Sequence, residues 1–164
     1  MNFDDIYEEH FHNIYRFIFY MVSDIQLAED LTQEVFLRIY ESDPKSETIA
    51  TYIRKVARHL VIDYYRRKAL IQWLPFVKEY EQHAHTYIPH DWLVQSEKRQ
   101  QLFEALQKLK PLQREILIYR KIEELSIEET SKITGLSATK IANTQRSAMK
   151  KLQQILGGEW DDRS

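Results

Sequence analysis

A basic segment with two adjacent tyrosines, RKVARHLVIDYYRRK at residues 54–68, lies in a chain whose formal net charge is only −2. Lysine and arginine bind phosphates, and aromatic rings stack on unpaired bases. On a helix, which turns about 100° per residue, these basic and aromatic residues fall on one face, and no acidic residue lies at its centre. This composition favours a DNA-binding surface over the alternative, a merely solvated one. The residues of that face are Arg54, Lys55, Arg58, His59, Ile62, Tyr65 and Arg66.

A helix-turn-helix is predicted near the C-terminus. Ser126 and Glu129 have the spacing of a capping box, which marks the start of one helix. Gly135 suits the end of that helix, where a positive φ is needed. Ser137 can cap the next helix, which we expect to run to about Leu156. Two helices joined by so tight a turn form a helix-turn-helix, and an ordinary helical hairpin is the alternative.

The second helix of this motif has the composition of a recognition helix. It contains lysine and arginine but no acidic residue between Ser137 and Leu156. The first turns of such a helix contact base edges, whereas further cations contact phosphates. We expect the site to begin at Ser137. The candidates for base contacts are Thr139, Lys140, Asn143 and Thr144, and those for phosphate contacts are Arg146 and Lys150.

Charge is distributed in blocks along the chain. Residues 1–44 carry ten acidic and two basic residues, whereas residues 45–72 carry seven basic and two acidic residues. The balance is −3 over residues 73–97 and +6 over residues 98–158. Blocks of opposite sign indicate separate local electrostatic roles. The acidic N-terminal block and the basic segments therefore point to different partners.

The signatures of catalysis and metal binding are missing from the sequence. All three glycines lie at or after Gly135, so no glycine-rich phosphate loop is possible, and no HExxH motif occurs. Cysteine is absent, which excludes disulfides and thiolate zinc sites. The pairs His10 with His12 and His83 with His85 lack neighbouring carboxylates on one face. We expect no enzymatic activity, no cofactor and no metal.

The scarcity of glycine and proline in the chain predicts an all-α fold. Only three glycines and four prolines occur, and the long stretches between them have helical periodicity. Asp24 is a candidate N-cap, and Phe36 lies towards the flank of the apolar stripe on its helix. The first three helices are expected over about residues 3–22, 24–41 and 47–68.

A linker is predicted where the helical pattern weakens. Residues 71–97 contain two prolines and several aromatic residues but none of the glycine and serine repeats of a flexible spacer. The predicted organisation is therefore two small helical domains, residues 1–70 and 98–158, joined by this linker.

Three motifs in series resemble bacterial sigma factors of the extracytoplasmic-function (ECF) group. They are AEDLTQEVFLRIY at residues 28–40, ARHLVIDYYRRK at residues 57–68, and SIEETSKITGLSATKIANTQRSAMKKL at residues 126–152. Their order and spacing resemble the two-domain layout of that group over nearly the whole chain, with details nearest a SigX-like subgroup.

The resemblance implies three kinds of partner. The first is core RNA polymerase. The resemblance implies that its β′ clamp helices contact Asp30, Gln33, Glu34 and Phe36 of this chain and that its β flap is a further contact. The second is promoter DNA, with the face at residues 54–66 on the −10 element and the helix-turn-helix on the −35 element. The third is an anti-sigma factor.

Departures from the pattern of the group affect the DNA-binding helices. His59 stands where asparagine is frequent, and Tyr52 where tryptophan is frequent. The recognition helix often carries more cations, at positions here occupied by Ala142, Thr144 and Ser147. These differences imply weaker phosphate binding at the −35 element and leave the bases that are read undetermined.

Two other classes of protein compete with this interpretation. A stand-alone helix-turn-helix regulator would bind DNA without polymerase, but it leaves the acidic block and the first basic face without roles. A helical adaptor would have no role on DNA. The start MNFDDIYEEH is acidic where a signal peptide is basic, and the apolar run at residues 14–22 contains Arg16 and is too short to span a bilayer. We therefore expect a cytoplasmic protein without membrane insertion.

Overall fold

The computed structural model describes residues 2–42, 48–72 and 97–157, with residues 71 and 72 described by their backbone alone. Within these ranges the regular structure is helical and contains no strand. The chain divides into two units, the first holding the helices before residue 73 and the second those after residue 96. The predicted all-α class is confirmed. Most of the predicted linker, including His83 and His85, lies outside the described residues.

The described residues of the N-terminal unit form three helices: α1 at Phe3–Val22, α2 at Ile25–Glu41 and α3 at Ile49–Gln72. The Asp24 carboxylate accepts a hydrogen bond from the Leu27 amide at 3.0 Å, which confirms the predicted N-cap of α2. Helix α3 extends four residues beyond the predicted end at Lys68, and its predicted start at residue 47 lies outside the described residues.

An aromatic ladder runs along α1. Its rings recur every four residues, at Phe3, Tyr7, Phe11, Tyr15 and Phe19, with centroids of successive rings 5.0 to 6.3 Å apart. Residues four apart lie on the same side of a helix, so the ladder presents one continuous aromatic surface towards α2.

Phe36 of α2 packs into this ladder. Its ring centroid lies 4.9 Å from that of Tyr7 and 6.0 Å from that of Phe11, and only 2% of the residue is exposed. The expectation that Phe36 contacts the β′ clamp helices is therefore wrong, because the rings of α1 cover the flank on which it lies.

Between residues 97 and 157, the described part of the C-terminal unit, there are four helices. They are α4 at Glu97–Gln107, α5 at Pro111–Leu117, which continues as a π-helical turn at Ile118–Ile122, α6 at Ile127–Thr134 and α7 at Ala138–Leu156. The Ser126 capping box is confirmed, since the Ser126 side chain accepts from the Glu129 amide and Glu129 accepts from the Ser126 amide, both at 3.0 Å. Gly135 ends α6 with φ 75°, so α6 and α7 form the predicted helix-turn-helix.

A buried arginine closes the end of α4. Arg114 of α5 is 6% exposed, and its guanidinium donates to the carbonyl oxygens of Leu106, Gln107 and Leu109 at 2.8 to 3.3 Å. The last carbonyls of a helix have no partner within the helix, so Arg114 satisfies them from the neighbouring helix. Sequence periodicity did not predict this arrangement.

Candidate nucleic-acid interfaces

The cationic face of α3 lies on the surface of the N-terminal unit. His59 and Arg66 are exposed, and the other predicted DNA contacts on this helix are half-buried. The core side of α3 is formed by the buried residues Ile53, Val56, Ala57 and Leu60. None of the face is sealed inside the core, and its half-buried members are Arg54, Lys55, Arg58, Ile62 and Tyr65.

Tyr65 has a structural contact that the sequence did not predict. Its hydroxyl donates a hydrogen bond to the carbonyl oxygen of Met21, near the end of α1. Its ring meets that of Tyr64 edge to face at 5.2 Å, and the Lys68 ammonium lies 5.9 Å from the Tyr64 centroid. Tyr65 therefore fixes α3 against α1, and its half-buried ring is only partly available to a base.

His10 of α1 is buried close enough to Arg54 of α3 for the two charges to interact. It is 9% exposed, and burial lowers the pKa of its imidazole, with the opposing charge of Glu9 raising that pKa and the charge of Arg54 lowering it further. The Arg54 guanidinium also donates to the Ala50 carbonyl at 3.2 Å. The lowered pKa favours the neutral form of His10, which adds no charge near the cationic face.

The outer face of α7 carries most of the predicted recognition residues. Thr139, Lys140, Asn143, Arg146 and Lys150 are all exposed. The Ser137 hydroxyl accepts from the Lys140 amide at 3.1 Å, so Ser137 caps the helix as predicted.

Thr144 does not share that face. It is 8% exposed, and it lies three residues after Ile141 and four before Ala148, both of which are fully buried. The prediction that Thr144 contacts base edges is wrong, because its place on the helical period belongs to the inner face.

Helix α5 and its π-helical turn hold α7 by side-chain hydrogen bonds. The Gln113 amide nitrogen donates to the Ser147 hydroxyl oxygen at 3.1 Å. Arg120 donates to the Gln145 amide oxygen at 2.9 Å and to the Leu125 carbonyl, which lies just before α6. These bridges fix the rotation of the recognition helix about its own axis. Helical periodicity does not predict them, because they join residues on different elements.

A third surface follows the outer side of α2. Asp30 and Gln33 are exposed, with the Asp30 carboxylate accepting from the Gln26 amide nitrogen at 3.1 Å. Glu34 forms an ion pair with Arg38 at 3.0 Å. The acidic groups predicted to bind a basic partner are therefore already engaged with neighbours along the helix.

Two large apolar side chains interrupt this polar surface. Leu37 is 53% exposed and Tyr40 is 69% exposed. Leu37 lies seven residues after Asp30 and four after Gln33, which places it on the same face of the helix. The Tyr40 ring meets Phe3 of α1 edge to face, with centroids 5.1 Å apart. The resemblance implied Phe36 as the aromatic residue of this surface and did not indicate Leu37 or Tyr40.

In the part of the chain that the structure describes, no group of three or more histidine, aspartate or glutamate residues is arranged as a metal site. Across the same residues, no helix combines the length and the apolar character needed to cross a bilayer.

The chain matches two protein families and several characterised proteins. Residues 6–71 match Sigma-70 region 2, and residues 99–152 match Sigma-70 region 4. The chain is 29% identical to the ECF RNA polymerase sigma factor SigX of Bacillus subtilis over 163 residues, covering 93% of this chain and 82% of SigX. It is also 29% identical to the RNA polymerase sigma factor YlaC of the same organism, covering 92% and 90% of the two chains.

The fold has a solved counterpart. The sigma factor RpoE of Bartonella quintana, solved in complex with the anti-sigma factor NepR, superposes with a TM-score of 0.81 at 20% sequence identity. The superposition covers 96% of this chain and 98% of RpoE.

Proposed function

The chain belongs to the ECF group of the sigma-70 family of RNA polymerase sigma factors, and from this premise we propose which of its surfaces perform each part of the work of a sigma factor. It directs promoter-specific transcription initiation by core RNA polymerase. The observation that carries the assignment is the presence in one chain of both family regions, each with a cationic helical face on its surface.

The α3 face is the proposed site for the −10 element. Arg54, Lys55, Arg58 and Arg66 supply cations for phosphates, and exposed His59 can contact a base or the backbone. Opening a duplex costs a few kcal/mol per unstacked step, so stacking and phosphate contacts must offset that cost. Tyr65 contributes through its ring, since its hydroxyl is engaged with Met21.

The α7 face is the proposed reader of the −35 element. Thr139, Lys140 and Asn143 lie in its first turns, where a recognition helix contacts base edges in the major groove. Arg146 and Lys150 follow on the same exposed face and suit phosphates. Ser137 begins the site and caps the helix.

The outer side of α2 is the proposed docking surface for the clamp helices of the polymerase. Asp30, Gln33 and Glu34 provide a polar and acidic rim, and we place exposed Leu37 and Tyr40 at its apolar centre in place of Phe36. Protein interfaces combine a desolvated apolar centre with a polar rim, and this surface has that composition. The β flap is the further polymerase contact of the chain.

Two consequences of ECF membership complete the proposal. An anti-sigma factor is a partner that would cover the polymerase-binding and DNA-binding surfaces. The protein acts in the cytoplasm, where polymerase and promoter DNA are found, and it binds DNA without catalysing a reaction of its own.

The test is transcription in vitro with purified core polymerase. We expect promoter-specific transcripts with a defined start only when this chain is added, and weak binding of the chain alone to the same promoter. A stand-alone regulator would bind duplex DNA tightly without polymerase and give no transcripts. That alternative leaves the region 2 match over residues 6–71 without a role.

A further inference from the structure

Two acceptor oxygens on the outer face of α7, those of the Asn143 and Ser147 side chains, already accept hydrogen bonds from other side chains. The Asn143 amide oxygen accepts from the Arg146 guanidinium at 3.2 Å. The Ser147 hydroxyl oxygen accepts from the Gln113 amide nitrogen at 3.1 Å. Asn143, Arg146 and Ser147 are all exposed.

Each of these bonds determines what its residue offers to DNA. With its oxygen held by a cation, Asn143 has its two amide hydrogens to donate. With one lone pair taken by Gln113, Ser147 has its hydroxyl hydrogen to donate. Arg146 has donors alone. No carboxylate occurs between residues 137 and 156 to supply a strong acceptor.

The base edges in the major groove differ in the hydrogen-bond donors and acceptors that they present. Guanine presents two acceptors, O6 and N7, whereas cytosine presents an amino donor and adenine presents one donor beside one acceptor. A surface of donors around a guanidinium pairs with the guanine edge and meets the amino groups of cytosine and adenine with like polarity.

We infer that Gln113 is a positioning residue for promoter recognition. By donating to Ser147 it leaves the Ser147 hydroxyl hydrogen for the DNA. The face of Asn143, Arg146 and Ser147 therefore selects base edges that carry acceptors, above all guanine, in the −35 element. Gln113 lies on α5 and acts through Ser147. The inference rests on the proposed function, since it specifies the bases that this helix reads.

Gln113 can be changed so that the polarity of Ser147 reverses. Besides its bond to Ser147, Gln113 accepts from the Lys110 amide at 3.2 Å and so caps the start of α5. Glutamate in its place keeps an oxygen for the Lys110 amide but has no donor for Ser147. The Ser147 hydroxyl would then donate to the carboxylate and turn its lone pairs towards the DNA.

The experiment is transcription with core polymerase from a promoter library randomised over the −35 element. Wild-type protein should enrich acceptor edges, with guanine foremost. Gln113→Glu should shift the preference at one base pair towards an amino-bearing edge by about three- to tenfold, with the other positions unchanged. Gln113→Glu combined with Ser147→Ala should abolish the shift, because the hydroxyl that carries it is gone.

Two controls separate this effect from charge and folding. Gln101→Glu adds the same charge at an exposed position of α4 and should leave the base preference as in the wild type. The thermal unfolding midpoint of each variant verifies that the C-terminal unit is intact.

The outcomes are distinguishable. An unchanged preference in Gln113→Glu, or a uniform loss over all promoters without a shift at one base pair, would overturn the inference. If the wild-type chain selects no promoter at all with an active core polymerase, the proposed function itself fails.

Discussion

Tyr65 in α3 donates a hydrogen bond to the backbone carbonyl of Met21 near the end of α1, across 44 positions of sequence. The contact fixes the second half of α3, which carries Arg66, against the first helix. The placement of the −10 surface therefore depends on packing inside the N-terminal unit as well as on the residues that face the DNA.

Replacing Tyr65 by phenylalanine tests the role of this bond. The ring is kept and the Met21 carbonyl loses its donor, so we expect the free energy of unfolding to fall by about 1 kcal/mol. Denaturant unfolding of the variant and the wild type measures the change. Unchanged stability together with a loss of promoter opening would instead place the hydroxyl on the DNA.

Phe36 and Leu37 are adjacent residues with opposite expected effects. Phe36→Ala should cost roughly 3–5 kcal/mol of stability, because it opens a cavity among the buried rings of α1. Leu37→Ala should change stability by less than about 0.5 kcal/mol and weaken binding to core polymerase. Unfolding curves and a binding titration with core polymerase separate the two effects, and a Leu37→Ala variant that binds polymerase like the wild type would remove Leu37 from the docking surface.

Arg114 is expected to be structural. Methionine at this position removes the hydrogen bonds of Arg114 to the Leu106, Gln107 and Leu109 carbonyls. The Leu106 carbonyl still accepts from the Leu109 amide at 3.1 Å, so the expected cost comes from the other two carbonyls, at about 1–3 kcal/mol for each group left unsatisfied. Lysine keeps the charge but lacks the planar fork, so Arg114→Lys should also be destabilised, though less. Thermal unfolding midpoints should rank the wild type above Arg114→Lys and Arg114→Lys above Arg114→Met. A lysine variant as stable as the wild type would contradict the structural role of the guanidinium.

His10 should make stability depend on pH. Burial lowers the pKa of the folded-state imidazole below its ordinary value of 6.5, so the unfolded chain binds a proton at a higher pH than the folded chain does. The stabilising effect of a neutral His10 is fully present above about pH 6.5 and is lost as the pH falls through 6.5 towards the folded pKa.

Denaturant unfolding between pH 5 and 8 measures that dependence. His10→Gln should flatten the decline in stability at the acidic end, and His12→Gln, at an exposed position of the same helix, should leave it as in the wild type. Equal declines in the wild type and in His10→Gln would assign the pH dependence to other groups.

Local signals in the sequence predicted the helix boundaries well. The bounds of α1 agree with the prediction, and Asp24, Ser126 and Ser137 all cap the helices they were assigned to. Caps and glycine ends depend on residues within four positions of one another, so they can be identified without knowledge of the fold.

The errors concern contacts between helices. Helical periodicity places Phe36 at the flank of α2. This flank is buried because the aromatic ladder of α1 packs against it, and periodicity within α2 does not reveal that contact. The burial of Thr144 was available from its spacing to Ile141 and Ala148, but its polar side chain favoured the outer face. The hydrogen bonds of Arg114, Gln113 and Arg120 join residues on different elements. Helical periodicity describes residues within one helix, so it cannot predict these bonds.

We propose that two cationic helical faces, on separate units, engage separate promoter elements. A photo-crosslinking residue placed at His59 or at Asn143, both exposed, tests it in the complex with core polymerase and promoter DNA. We predict that position 59 crosslinks to the −10 element and position 143 to the −35 element. Crosslinks from both positions to one element, or from neither position to promoter DNA in an active complex, would contradict the account.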